Sequence, residues 1–405
     1  MEPLERTLDD IEAAEPQRET MLVNIGPSHP CTHGTVRIVV EIDGESIQRA
    51  DVQVGFLHRG FEKMAERGTW AQVFPYVDRC NYVSPLLNNF GYALACEKLL
   101  GIQVPERCVY YRMVLSELAR MVDHLTCTGA MVMELAAFTP FLWMMKGRDM
   151  VYDIFEEETG ARVTHSFGRI GGVAKPPSRG FKENVAAVVV KLLEIVDEVK
   201  RLLYGTRVFL DRVENVGVMA AEDAISLGWT GPTLRACGVP YDVRRAHPYL
   251  AYDQVEFDVP VGQAGDCYDR FAVRLEEVIQ SARIIEQCLE RLPDEGPVCV
   301  DDPRVVLPPK DKVYTTIEAT IQHFKLIMEG LKMPAGEVYS YTEAGNGELG
   351  FYIVSDGSGT PYRVRIRPPC FLITGGLEHL ITGAMVPDIV PCFGSLNMIG
   401  GECDR

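Results

Sequence analysis

The alternation of hydrophobic and polar positions along this chain changes period twice. Between Thr35 and Val54 the runs TVRIVVEIDG and SIQRADVQV are rich in β-branched residues and flank a turn at Asp43-Gly44, which predicts a hairpin or small sheet. From about Phe61 to Met328 the period becomes helical. PLLNNFGYALACEKLL stops at Gly101, and Pro105 opens PERCVYYRMVLSELARMVDHL, with Leu115, Leu118, Met121, Val122 and Leu125 at helical spacing. NVAAVVVKLLEIVDEVKRLL (184–203) and CYDRFAVRLEEVIQSARIIEQCLERL (267–292) share that amphipathic period, and four such helices predict a bundle. Strands return at the end, where FYIVSD and PYRVRIRPP flank Gly357-Ser358-Gly359-Thr360 and predict a β-hairpin. The expected class is α+β. Its expected parts are an acidic extension (1–20), a small β-rich domain (21–60), a long-helix bundle (61–330) and a C-terminal α+β segment (331–405).

One apolar run needs a membrane test. LTCTGAMVMELAAFTPFLWMM, Leu125 to Met145, is long enough to cross a bilayer and carries Glu134 as its only charge. Thr139-Pro140 would break a spanning helix, and a central carboxylate is costly in lipid. A buried core helix is the better reading, and it leaves Glu134 in need of a partner.

Charge then narrows the function classes. Lys+Arg 40 against Asp+Glu 57 gives a net charge of −17, which argues against nucleic acid as the main partner. The first twenty residues hold seven acidic and two basic side chains, unlike a secretory signal or a transit peptide, so the expected location is the cytoplasmic side of the membrane. The twelve cysteines are never closer than 11 residues, so no CxxC pair offers two thiolates to one metal. Scattered thiols of this kind read as reduced, small hydrophobes.

Three places remain for chemistry. In NIGPSHPCTHGTVRI, Pro27, Pro30 and Gly34 forbid a regular helix, so His29 and His33 sit on a stiff loop, as structural or as functional imidazoles. In DRCNYVSPLLNN, Tyr82 stands among Arg79, Asn81 and Ser84, either as packing or as a hydroxyl donor. Glu134 is the third, functional or part of an ion pair. Gly345 to Gly350 matches GxGxxG, but a strand follows where a dinucleotide site needs a helix, so no nucleotide is expected there.

Taken together and in order, GPSHPCTHG, VGFLHRGFEKMAE, DRCNYVS, TPFLW, LRACGVPYDVR, YDQVEFDVPVGQAGDCYDR, GELGFYIVSDGSGTPYR and the terminal GECDR resemble the hydrogenase-like D-subunit family of respiratory complex I, the proton-pumping NADH:quinone oxidoreductase. The resemblance covers about residues 21 to 405. It implies the fold of the nickel–iron hydrogenase large subunit, whose metal is held by two CxxC pairs. Those ligand positions align with Asn81 and Ser84 and with Ile399 and Glu402; Cys80 and Cys403 each miss by one. Without thiolates no nickel–iron centre forms, and this chain is expected to bind no metal. The vacated space would be open to the quinone head group, beside an iron–sulfur cluster supplied by a neighbouring protein of the same complex.

By the same resemblance, His33 and Tyr82 hydrogen-bond the quinone carbonyls. Glu134 stands where the family usually has Asp pairing with that histidine, and Asn81 replaces a common Asp. Arg59 approaches the neighbour's cluster. The family commonly places a histidine at position 164, near the cluster; here Thr164 occupies it, with His165 beside it. The implied partners are the iron–sulfur small (B) subunit, the C and I subunits, the membrane-embedded H subunit and quinone, with the chain peripheral on the cytoplasmic face of the bacterial inner membrane. The rival readings are a structural scaffold in a related complex with another electron donor, and a hydrogenase large subunit, which the missing cysteines oppose.

Overall fold

The computed structural model describes residues 20–405, so the acidic extension, except for Thr20, lies outside the described residues. Strands β1 (Met21–Ile25), β2 (Arg37–Asp43) and β3 (Ser46–Gln53) form an antiparallel meander. Ile38, Val39, Val40 and Ile47 are buried, so the β-branched run forms the sheet's core. The sequence pattern predicted β2 and β3 but not β1.

Five long helices follow: α1 (Pro85–Leu100), α2 (Glu106–Glu134), α3 (Phe138–Thr159), α4 (Phe181–Leu203) and α5 (Cys267–Arg291). Four match the helices expected from period. Helix α2 is the axis, packed against α1, α3 and α5 and buried around most of its circumference. It also carries Arg112, Glu117, Arg120, Asp123 and His124 into the interior. Buried charge must find partners, and these residues organise the polar interior described below.

The single core helix expected over Leu125–Met145 is in fact two. Helix α2 ends at Glu134, Ala136 takes φ 65°, and α3 starts at Phe138. Pro140 falls in the first turn of α3, where its missing N–H costs no helical hydrogen bond. Nor is the run wholly buried, because Phe138 and Leu142 are more than half exposed. No described helix is long and apolar enough to cross a membrane.

A later helix, α6 (Ile317–Met328), precedes a C-terminal three-stranded antiparallel sheet of β4 (Gly336–Glu343), β5 (Glu348–Ser355) and β6 (Arg363–Arg367). The predicted hairpin is β5–β6, and β4 adds a strand that sequence reading missed. The sheet packs on α1. The GxGxxG segment is the β4–β5 turn, with no helix after it. A side chain at Gly345 would lie 2.2 Å from Asp123 Oδ2, so glycine there admits α2 rather than a phosphate. Helix α7 (Ile389–Leu396) and a last turn, Gly400–Asp404, return the C-terminus to α2.

Candidate functional site

Residues 26–34 form the stiff loop the prolines predicted. Pro30–Thr32 make one 3-10 turn, capped at its start by His29, whose Nδ1 accepts the Cys31 N–H at 3.2 Å. His29 is thus structural. His33 closes the turn at φ 53°, ψ 19°, a left-handed conformation that aims its ring away from the loop. His33 Nδ1 lies 3.4 Å from the Met398 carbonyl and Nε2 lies 3.6 Å from Glu134 Oε1. The ring also packs edge-on against Phe393, 5.3 Å between centroids. Both ring nitrogens thus face oxygen atoms. The Glu134 carboxylate comes within ion-pair range of His33 but not within hydrogen-bond distance. Its other oxygen, Oε2, is buried without a hydrogen-bond partner among the described residues, in room left by Gly394.

Tyr82 stands before α1. Asn81 Oδ1 accepts the N–H groups of Val83 (3.1 Å) and Ser84 (3.3 Å), fixing the turn that presents the ring. Tyr82 is half-buried, and its hydroxyl makes no hydrogen bond to any described residue. Burial, with Cys370 adding to it and Arg59 opposing, pushes the phenol upward, so it stays a donor.

Beside Tyr82, the space expected to be vacant is filled. Asp123 Oδ2 accepts from Asn81 Nδ2 at 2.7 Å and Ser84 Oγ at 2.5 Å, and Oδ1 accepts from Asn397 Nδ2 at 2.7 Å. Asn397 also donates to Asn346 Oδ1 (2.6 Å), whose own amide reaches Cys370 Sγ (3.3 Å) and Glu402 Oε2 (3.4 Å). All seven residues are buried. Three positions aligned with thiolate ligands, Asn81, Ser84 and Glu402, are therefore members of a closed hydrogen-bond chain. Glu402 meets only neutral donors, and burial, with Asp123 adding to it, pushes its carboxyl up to about 7. No described cluster of three His, Cys, Asp or Glu could hold a metal ion.

The chain matches the family described as respiratory-chain NADH dehydrogenase, 49 kDa subunit, over residues 134–405. It is 67% identical, over the full length of both chains, to the D 1 subunit of NADH-quinone oxidoreductase from Sorangium cellulosum. It is 52% identical to the D subunit from Myxococcus xanthus, covering 96% of this chain and 94% of that one. A Bdellovibrio bacteriovorus protein, named as a C/D subunit, is 48% identical over 95% of this chain and 68% of its own length. The chain belongs to the D-subunit family of complex I.

It is accordingly a component of NADH–quinone oxidoreductase, and other proteins of that complex are its partners. Arg59 is exposed, its Nη2 donating to the Arg79 carbonyl at 3.0 Å and its guanidinium 4.4 Å over the Phe61 ring. No described carboxylate pairs with it, so its charge is available to a neighbour. His165 is buried edge-on against Phe155, and neither ring nitrogen has a described partner. Burial pushes its pKa down to about 4. Thr164 beside it is held at φ 54° and Ser166 at φ 42°, with Asp78 accepting the Ser166 N–H and hydroxyl. A β-branched residue in the left-handed region is strained. Of eight described non-glycine residues with positive φ, His33, Ala136, Thr164, Ser166 and Asn397 lie in or beside the segments named here. Sequence reasoning missed Asp123, Asn346, Asn397 and Cys370, and the available signal was the set of charged residues, Asp123 among them, on a helix whose apolar positions mark it as core.

Proposed function

We propose that the His33–Glu134 pair and the Tyr82 hydroxyl bind and protonate a quinone head group. The observation that carries this is the Tyr82 hydroxyl, half-buried and without a described partner on a rigid turn. A buried or half-buried donor left unpaired in its own chain is suited to a ligand. Reduction of quinone to quinol takes two electrons and two protons, one proton to each carbonyl oxygen. His33 supplies a proton at one oxygen and Tyr82 at the other, while Glu134 stays close enough to stabilise the imidazolium before transfer. In this reading the electrons come from an iron–sulfur cluster in the neighbouring small (B) subunit, with Arg59 and His165 assigned to its side of the chain. Electron transfer here is coupled to proton translocation by the assembled complex.

The exposed Phe138, Leu142 and Trp143, on the helix that starts beside Glu134, support cover by other proteins of the complex, among them the membrane-embedded H subunit. The C and I subunits are further neighbours, and the C/D relative supports the first. The chain then sits peripherally on the cytoplasmic face of the bacterial inner membrane. Tyr82→Phe in the assembled complex tests the reading. The ring keeps its packing and loses only the donor, worth about 1.5–3 kcal/mol in the transition state, so quinone turnover should fall about ten- to a hundredfold. Reduction of the clusters by the upstream donor should be unaffected. Unchanged quinone turnover overturns the assignment.

A further inference from the structure

Two of the twelve cysteines meet where α5 begins and α7 passes it. A side chain at Gly217 would lie 2.5 Å from Cys392 Sγ and 3.4 Å from Cys267 Sγ, so both sulfurs converge on one point. Around them are Arg270 Nη2, 3.3 Å from Cys267 Sγ, and Ser395 Oγ, 3.6 Å from it. Arg270 is wholly buried, and its other partners are Ser395 Oγ and the carbonyls of Gly265 and Gly217. Its neighbour Arg274 is buried as well and bonds only carbonyls, those of Arg270, Ser395 and Leu396. A buried guanidinium with no carboxylate needs a counter-charge from elsewhere. The Cys267 sulfur is the candidate in reach.

We infer that Cys267 and Cys392 form a peroxide-reactive dithiol, with Cys267 as the attacking thiolate and Cys392 as the resolving thiol. Although burial alone would raise it, the hydrogen bond from Cys392 and then the Arg270 charge bring the Cys267 thiol down to about 6. Its bond to Cys267 and its own burial hold Cys392 well above the ordinary thiol value. Cys267 is thus the thiol that ionises more readily and Cys392 the one that keeps its proton, the division of labour that disulfide formation uses.

The chemistry balances with a peroxide as oxidant. The Cys267 thiolate attacks one oxygen of hydrogen peroxide, the O–O bond breaks, and hydroxide leaves as Cys267 becomes a sulfenic acid. Cys392, giving its proton to that hydroxide, attacks the Cys267 sulfur; a second hydroxide leaves and takes up the proton that Cys267 had released to solvent on ionising. The sum is two thiols and one peroxide giving one disulfide and two waters. Both thiols are fully buried, so peroxide must pass the segment that covers them, where Glu214, Asn215 and Val218 are exposed while Gly217 is buried against the sulfurs. Closing the bond removes the counter-charge from Arg270, so the disulfide is readily reduced again.

The test is peptide mapping of the wild-type chain in the assembled complex. Membranes are titrated with hydrogen peroxide, quenched in acid, and the remaining thiols alkylated after denaturation. The expected result is a Cys267–Cys392 disulfide peptide at peroxide levels that leave the other ten cysteines alkylatable, lost after dithiothreitol. In Cys392→Ser, dimedone should trap Cys267 as the sulfenic acid. Cys267 and Cys392 remaining alkylatable while other cysteines oxidise, or Cys267 joined to a different cysteine, overturns the inference. Since the wild-type measurement needs no variant, failure of Cys392→Ser to assemble does not block the test.

Discussion

Helix α2 borders two polar regions built on opposite principles. In the first, around Glu117, Arg120, Arg235, Arg244, Glu277 and Glu343, every carboxylate oxygen is bonded. Glu117 alone accepts from Arg120, Arg244, Tyr252 (2.7 Å) and Ser281 (2.7 Å), and Arg235 joins Glu277 (2.7 Å) to Glu343 (2.8 Å). Burial would raise the Glu117 and Glu277 carboxyls, yet their arginines hold both below the ordinary range. In the second, Glu134 Oε2 and the Tyr82 hydroxyl have no described partner, and His33 Nε2 stops 3.6 Å short of its carboxylate. A network whose carboxylates are all bonded holds helices together, and its few unpaired atoms, Arg235 Nη2 and His124 Nδ1, are buried out of a ligand's reach. An unsaturated rim costs stability and keeps its donors available.

The sharpest break of this contrast is Arg235→Leu. It leaves Glu277 and Glu343 buried and short of a cation, so stability should fall by about 3–5 kcal/mol, read as loss of assembly or a lower urea midpoint. Tyr82→Phe should do the reverse, leaving stability within about 0.5 kcal/mol while turnover drops as described. If both variants lost stability equally, the two regions would not differ in kind.

His165 offers a pH test. Its folded pKa is lowered from 6.5 to about 4, so the unfolded chain takes up this proton first. The contribution is fully present above pH 6.5 and is lost as pH falls toward 4. Urea midpoints at about pH 7 and pH 5 should show this loss, and His165→Phe should lessen it. On the proposed placement beside the partner's cluster, a buried imidazole that stays neutral between about pH 6 and 8 also cannot couple a proton to it. The cluster's EPR-monitored midpoint should therefore shift by much less than about 59 mV per pH unit. A full one-proton slope would mean that another group near the strained Thr164 segment titrates.

The smallest effect belongs to Glu134→Gln. It removes the charge beside His33 and keeps the shape, so turnover should fall a few-fold at high pH and less at low pH, where protons are plentiful. Equal loss at all pH values would make Glu134 a packing residue.

Much of this was legible in the sequence. The four periodic helices, the β2–β3 and β5–β6 hairpins and the family all followed from local pattern and ordered motifs, because period and turn chemistry act over a few residues. His33, Tyr82 and Glu134 were also named from sequence, and folding brings His33 and Glu134 together. The break after Glu134 was not legible, because apolar residues on both sides continue one pattern across it. Nor was the closed chain at the aligned ligand positions, where Asp123 meets Asn81 across 42 residues and Asn397 across 274. The family resemblance implied that thiolates were missing from those positions. Only the packed interior could decide that carboxamides and a carboxylate would fill the gap, since a buried polar group is settled by whichever distant partner the fold delivers to it.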